Sequence, residues 1–93
     1  MDIHNIGFIS EWEDDLIWCP SQLERQFTNP ITKKINTLYC RWRHSDPWSF
    51  SFYQLKPYFT VELGEGLSEY SSIKDIHTFA EKLLLEYFRI EFY

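Results

Sequence analysis

From Leu38 to Tyr53, apolar and polar side chains alternate with period two on both sides of a Ser45-Asp46-Pro47 turn. Period two belongs to an extended chain, whose successive side chains leave on opposite faces. The segment therefore predicts a hairpin. Leu38, Cys40 and Trp42 lie beside Trp48, Phe50 and Phe52 on one face, and Tyr39, Arg41, Arg43, Ser49, Ser51 and Tyr53 occupy the other. After Lys56-Pro57 the alternation resumes, with Phe59, Val61 and Leu63 extending the apolar face until Gly64-Glu65-Gly66 ends the run. The expectation is an α+β fold built on a three-stranded antiparallel meander over about 35–43, 48–55 and 58–63, with one face that needs a cover.

The cover is a helix over about 72–88. Ser72 stands as its N-cap with Asp75 three residues on, and Ile76, Phe79, Ala80, Leu83, Leu84 and Tyr87 recur at helical spacing. Each large side chain of such a stripe contributes about 1.5–3 kcal/mol when fully buried, so packing on the sheet dominates over helix propensity. Beyond it, Phe88-Arg89-Ile90-Glu91-Phe92-Tyr93 alternates again, which reads as a C-terminal edge strand over 89–93. Continuation of the helix through Phe88 competes with that strand, because no Gly or Pro intervenes.

Upstream, Ser21-Gln22-Leu23-Glu24 has capping-box spacing and Leu23 lies four residues from Phe27, predicting a short helix over about 21–28 that Asn29-Pro30 stops. Residues 10–13, Ser-Glu-Trp-Glu, repeat the capping-box spacing and favour a helical turn pairing Trp12 with Leu16. A hairpin of Gly7–Ser10 with Leu16–Cys19 across Glu13-Asp14-Asp15 fits the same stretch, and the pattern leaves both readings open.

Ninety-three residues without repeats or linker-like tracts predict one domain, 1–93. Eighteen of them are Phe, Tyr or Trp, each able to bury roughly 150–250 Å², so a core forms without disulfide or metal. The net charge of −5 is unevenly spread: residues 1–24 carry six acids and no Lys or Arg, residues 25–60 six bases and one acid, and residues 61–93 seven acids and three bases. Either folding interleaves these blocks, or the basic aromatic middle and the acidic start are functional patches. Cys19 and Cys40 form no Cys-x-x-Cys and read as free thiols. Met1-Asp2-Ile3-His4-Asn5 has no basic start followed by an apolar run, and Leu83-Leu84-Leu85 is far too short to span a bilayer, so the expected location is cytoplasmic, away from membranes.

Catalytic and metal chemistry find little support. His4, His44 and His77 show no metalloprotease or paired Cys/His spacing. His44-Ser45-Asp46 holds triad letters, but neighbours in sequence diverge, whereas a triad converges from different elements. Cys40 and His44 lie over ~13 Å apart along an extended strand, too far for one ion. Gly64-Glu65-Gly66 lacks the Lys of a P-loop and carries a carboxylate that repels phosphate. No enzyme, no metal and no cofactor are expected.

The order helix, three strands, helix from Ser21 to Phe88 resembles a double-stranded-RNA-binding domain. That family straddles phosphates with a Lys-rich start to its last helix; here those residues read Ser71-Ser72-Ile73-Lys74-Asp75, so the resemblance extends to arrangement alone.

What remains is a surface of rings and guanidinium groups, Tyr39, Arg41, Arg43, Tyr53 and Tyr58, with an acidic run of Glu11, Glu13, Asp14 and Asp15 upstream. Tyr and Arg are enriched in protein-binding hot spots. The expectation is a non-enzymatic protein-binding module, accessory or inhibitor-like, that meets a larger protein through the Tyr/Arg face or the acidic patch. Alternatives are single-stranded nucleic-acid binding on the same face, and a face covered by the N-terminal segment, whose acids would pair with Arg41 and Arg43. Both monomer and homodimer fit the sequence.

Overall fold

The computed structural model describes residues 6–15, 21–42, 47–67 and 71–92. They form six strands and one helix: β1 (Gly7–Phe8), β2 (Glu13–Asp15), β3 (Ser21–Thr28), β4 (Ile35–Trp42), β5 (Trp48–Leu55), β6 (Tyr58–Gly66) and α1 (Ile73–Phe92). The sheet is antiparallel throughout in the order β1-β3-β4-β5-β6, and β2 joins β1 along the same edge of β3. The architecture is α+β, with a single helix on one face.

Parity sorts the central hairpin as the alternation requires. Leu38, Cys40, Trp48, Phe50 and Phe52 are buried and Trp42 is half-buried against them, while Tyr39, Arg41, Ser49, Ser51 and Tyr53 stay partly open on the opposite face. Ile76, Ala80, Leu84 and Phe88 run down the buried side of α1, with Ile73, Phe79, Leu83 and Tyr87 flanking them. Phe52 meets Phe27, Phe59 and Tyr87 edge to face at centroid distances of 5.7, 6.2 and 5.4 Å, and Phe50 lies tilted against Phe79 at 5.2 Å. Ser72 caps α1 through its Oγ, which accepts from the Asp75 amide at 3.1 Å.

Two expected elements are corrected. Residues 21–28 are strand β3, not a helix, and they pair with β4 over their whole length. A spacing of four between Leu23 and Phe27 keeps both on one face in either conformation. The inward residue between them is Arg25, a cation that breaks the apolar alternation by which a strand would be recognised. The meander therefore has four consecutive strands, and the helix–strands–helix order of a double-stranded-RNA-binding domain is lost. Residues 89–92 continue α1 instead of forming an edge strand, since Phe88 is the next step of the buried row after Leu84, while Tyr93 lies outside the described residues.

At the N-terminal end, Glu13 is in a strand, which removes the capping-box helix. Gly7 and Phe8 pair with Thr28 and Phe27 in β3. The other half of the expected hairpin, Leu16–Cys19, lies outside the described residues. Trp12 packs edge-on against His77 of α1 at 5.8 Å. The β5–β6 register shifts opposite Phe50 and Ser51, where Gly64 takes φ 145°, a conformation costly for any other residue.

Candidate protein interface

The face of the sheet turned away from α1 is built from rows that the register fixes. One row runs Glu13, Glu24, Tyr39, Ser51, Glu62; the next runs Gln26, Thr37, Tyr53, Thr60; a third joins Gln22, Arg41, Ser49 and Glu65. Tyr39, Arg41, Tyr53 and Tyr58 thus share one face, as the alternation implies. Arg43 lies outside the described residues, as do the side chains of Asp14 and Asp15, whose backbone belongs to β2. Glu11 and Glu13 are exposed.

The described part of the N-terminal segment does not fold over this face. It extends the sheet sideways along β3, so Glu13 stands beside Glu24 rather than on Arg41. Tyr39 donates to Gln22 Oε1 at 2.9 Å, and the Arg41 carbonyl accepts from Ser49 Oγ at 3.2 Å. Arg41 Nε is closed off from solvent with no acceptor among the described residues.

Two features of the face escaped the sequence reading. The first is an apolar end. Ile35, Leu55 and Tyr58 are 56%, 69% and 69% exposed, far more than large apolar side chains need to be. The alternation places Ile35 and Leu55 on this face, but nothing in it says that the face ends uncovered. The second is a groove of about 180 Å³ bordered by Ser10, Glu13, Glu24, Arg25, Gln26, Thr37, Tyr53 and Leu55, which joins the apolar end to the carboxylates. Glu13, Glu24, Glu62 and Glu65 outnumber Arg41 here, so the described face is acidic rather than basic.

On the other side of the sheet, Arg25 closes the gap between the N-terminal strands and α1. Its Nε donates to the Ser10 carbonyl at 2.7 Å, and its guanidinium lies 4.3 Å from the Phe8 ring centroid and 5.8 Å from that of Trp12. Its Nη1 also reaches His77 Nδ1 at 3.3 Å, and because arginine only donates, Nδ1 is the acceptor. Cys40 is a buried free thiol whose pKa burial drives upward, which keeps it protonated and unreactive. Burial, and secondarily Glu91, also raise the pKa of the Tyr87 phenol.

Among the described residues no three His, Cys, Asp or Glu side chains gather as a metal would require. No helix among them is long and apolar enough to cross a membrane. Comparison with protein-family models, with curated proteins and with solved structures found no match to this chain.

Proposed function

We propose that this chain is a non-enzymatic, cytoplasmic protein-binding module of accessory or inhibitor type, and that the outer sheet face is its contact surface. The observation that carries the reading is the solvent-facing apolar end, Ile35, Leu55 and Tyr58, running by way of Tyr53 and its groove into a field of carboxylates. Apolar anchors within a charged rim are the anatomy of a protein interface. The matching partner is a larger protein that offers apolar side chains bordered by Lys or Arg. Glu11 and Glu13 at the sheet edge extend the acidic rim toward that partner.

Nucleic-acid binding is the weaker alternative. Stacking on Tyr39 and Tyr53 would set phosphates among Glu24, Glu62 and Glu65, with Arg41 alone opposing them on the described face. Affinity purification from host extract with the wild-type chain and with the Ile35→Glu/Leu55→Glu double variant tests the proposal. The expected result is a protein captured by the first and lost by the second at unchanged melting temperature, since both positions are exposed. Equal capture by both chains, or recovery of nucleic acid instead of protein, would refute it.

A further inference from the structure

We infer a second docking surface, at the free edge of β6, whose occupant is an extended basic segment of another protein added as a further strand. β6 is the last strand of the sheet, and among the described residues nothing pairs with its outer side. Alternate backbone N–H and C=O groups of Tyr58–Leu63 therefore face away from β5, over a stretch that ends at the register shift beside Gly64. Such a row is a template for strand addition.

Beside that edge, between β6 and α1, runs a groove of about 180 Å³. Leu63 and Leu83 supply apolar wall, and Ile90, 78% exposed on the last turns of the helix, stands at its rim. Tyr87, Glu62, Glu86 and Glu91 complete the lining, with no Lys or Arg among the lining residues. Charge selects the occupant. A second copy of this chain would bring one acidic rim against another, and a nucleic-acid strand would bring phosphates. An extended segment alternating apolar and basic side chains satisfies the edge hydrogen bonds, the groove and the carboxylates together.

The probe is an acetylated, fluorescently labelled octapeptide of alternating Lys and Val, followed by anisotropy at low ionic strength. Saturable binding is expected, with slowed hydrogen exchange of amides in Tyr58–Leu63. The Glu62→Lys/Glu86→Lys/Glu91→Lys triple variant, changed only at exposed positions, should bind about tenfold more weakly or worse. The same peptide N-methylated at every second residue keeps its charge but cannot complete the ladder, and should not bind. Equal binding of the methylated peptide, or protection confined to the outer face, would overturn the inference. Concentration-dependent dimerisation of the free chain through β6 would overturn it too, by giving the edge to a second copy. Because Ile35→Glu/Leu55→Glu lies off this edge, that variant should bind the probe normally, and failure of the outer-face reading stays separable.

Discussion

Asn36 offers the sharpest test of how this fold is held in register. It is buried on the helix-facing side of β4, where a period-two strand would ordinarily place an apolar residue. Its Oδ1 accepts from Asn29 Nδ2 at 3.0 Å and its Nδ2 donates to Gln54 Oε1 at 3.1 Å. Gln54 Nε2 in turn donates to the carbonyls of Lys56 and Pro57, and Asn29 Oδ1 accepts from the amides of Ile31 and Thr32. Three side-chain amides thus tie the β3–β4 turn to the β5–β6 turn across the end of the sheet, each paired on both its oxygen and its nitrogen. Asn36→Ala strands one buried donor on Asn29 and one buried acceptor on Gln54. At about 1–3 kcal/mol for each stranded group the loss sums to about 2–6 kcal/mol, a large share of the 5–15 kcal/mol typical of a domain.

Asn36→Asp separates hydrogen bonding from shape. The new carboxylate still accepts from Asn29 but has no proton for Gln54 Oε1, and turning the Gln54 amide over would set its oxygen against the Lys56 and Pro57 carbonyls. Only the protonated acid restores the chain, so the folded-state pKa of the new group rises above its unfolded value of about 3.9. Stability it retains below that unfolded value is lost as pH rises through the folded one. Urea unfolding at pH 7 and pH 4 should show this variant nearer to wild type at the acid end, relative to wild type at the same pH. If Asn36→Ala costs no more than about 0.5 kcal/mol, the ordinary figure for a surface change, or if the Asn36→Asp deficit does not depend on pH, the chain of amides is not what holds this end of the sheet.

Two further outcomes are expected. The folded state keeps the buried Cys40 thiol protonated above its ordinary value of 9.0, so the unfolded chain binds fewer protons there and stability falls as pH rises past that point, by about 1.4 kcal/mol per unit; urea midpoints between pH 8 and 10.5 should fall less steeply for Cys40→Val than for wild type, and parallel slopes would contradict this. A Cβ on Gly66 would sit 2.6 Å from Cζ of Phe79, so Gly66→Ala should lower stability by about 1–3 kcal/mol, and Phe79→Leu in the same chain should recover part of it in thermal melts, whereas additive losses would count against the contact.

The sequence announced its elements where two periods disagree and hid them where they coincide. Within 38–42, 48–52 and 59–63 every second position is apolar, which no helix tolerates, and all three strands lie where that pattern puts them. From Ile76 to Phe88 a four-residue step is interleaved with a three-residue one through Phe79, Leu83 and Tyr87, and that combination fits only a helix. Leu23 and Phe27 are a single pair four apart, common to both periods, and the residue that decides between them is Arg25. On a strand Arg25 must share the inward face, which looks forbidden for a cation. The structure resolves the conflict through length: the aliphatic stem crosses the apolar surface and the guanidinium emerges at the sheet edge between Phe8, Trp12 and His77. Those three residues come from β1, from the stretch before β2 and from α1, so the permission for Arg25 to face inward is written 17 residues before it and 52 after. The outer face was legible for the complementary reason. Which of its residues stand together depends only on parity and register, but whether they meet solvent depends on where the N-terminal strands go, and β1 and β2 go to the edge because Arg25, Phe8 and Trp12 draw them there. The open face and the inward arginine are therefore two consequences of one cluster.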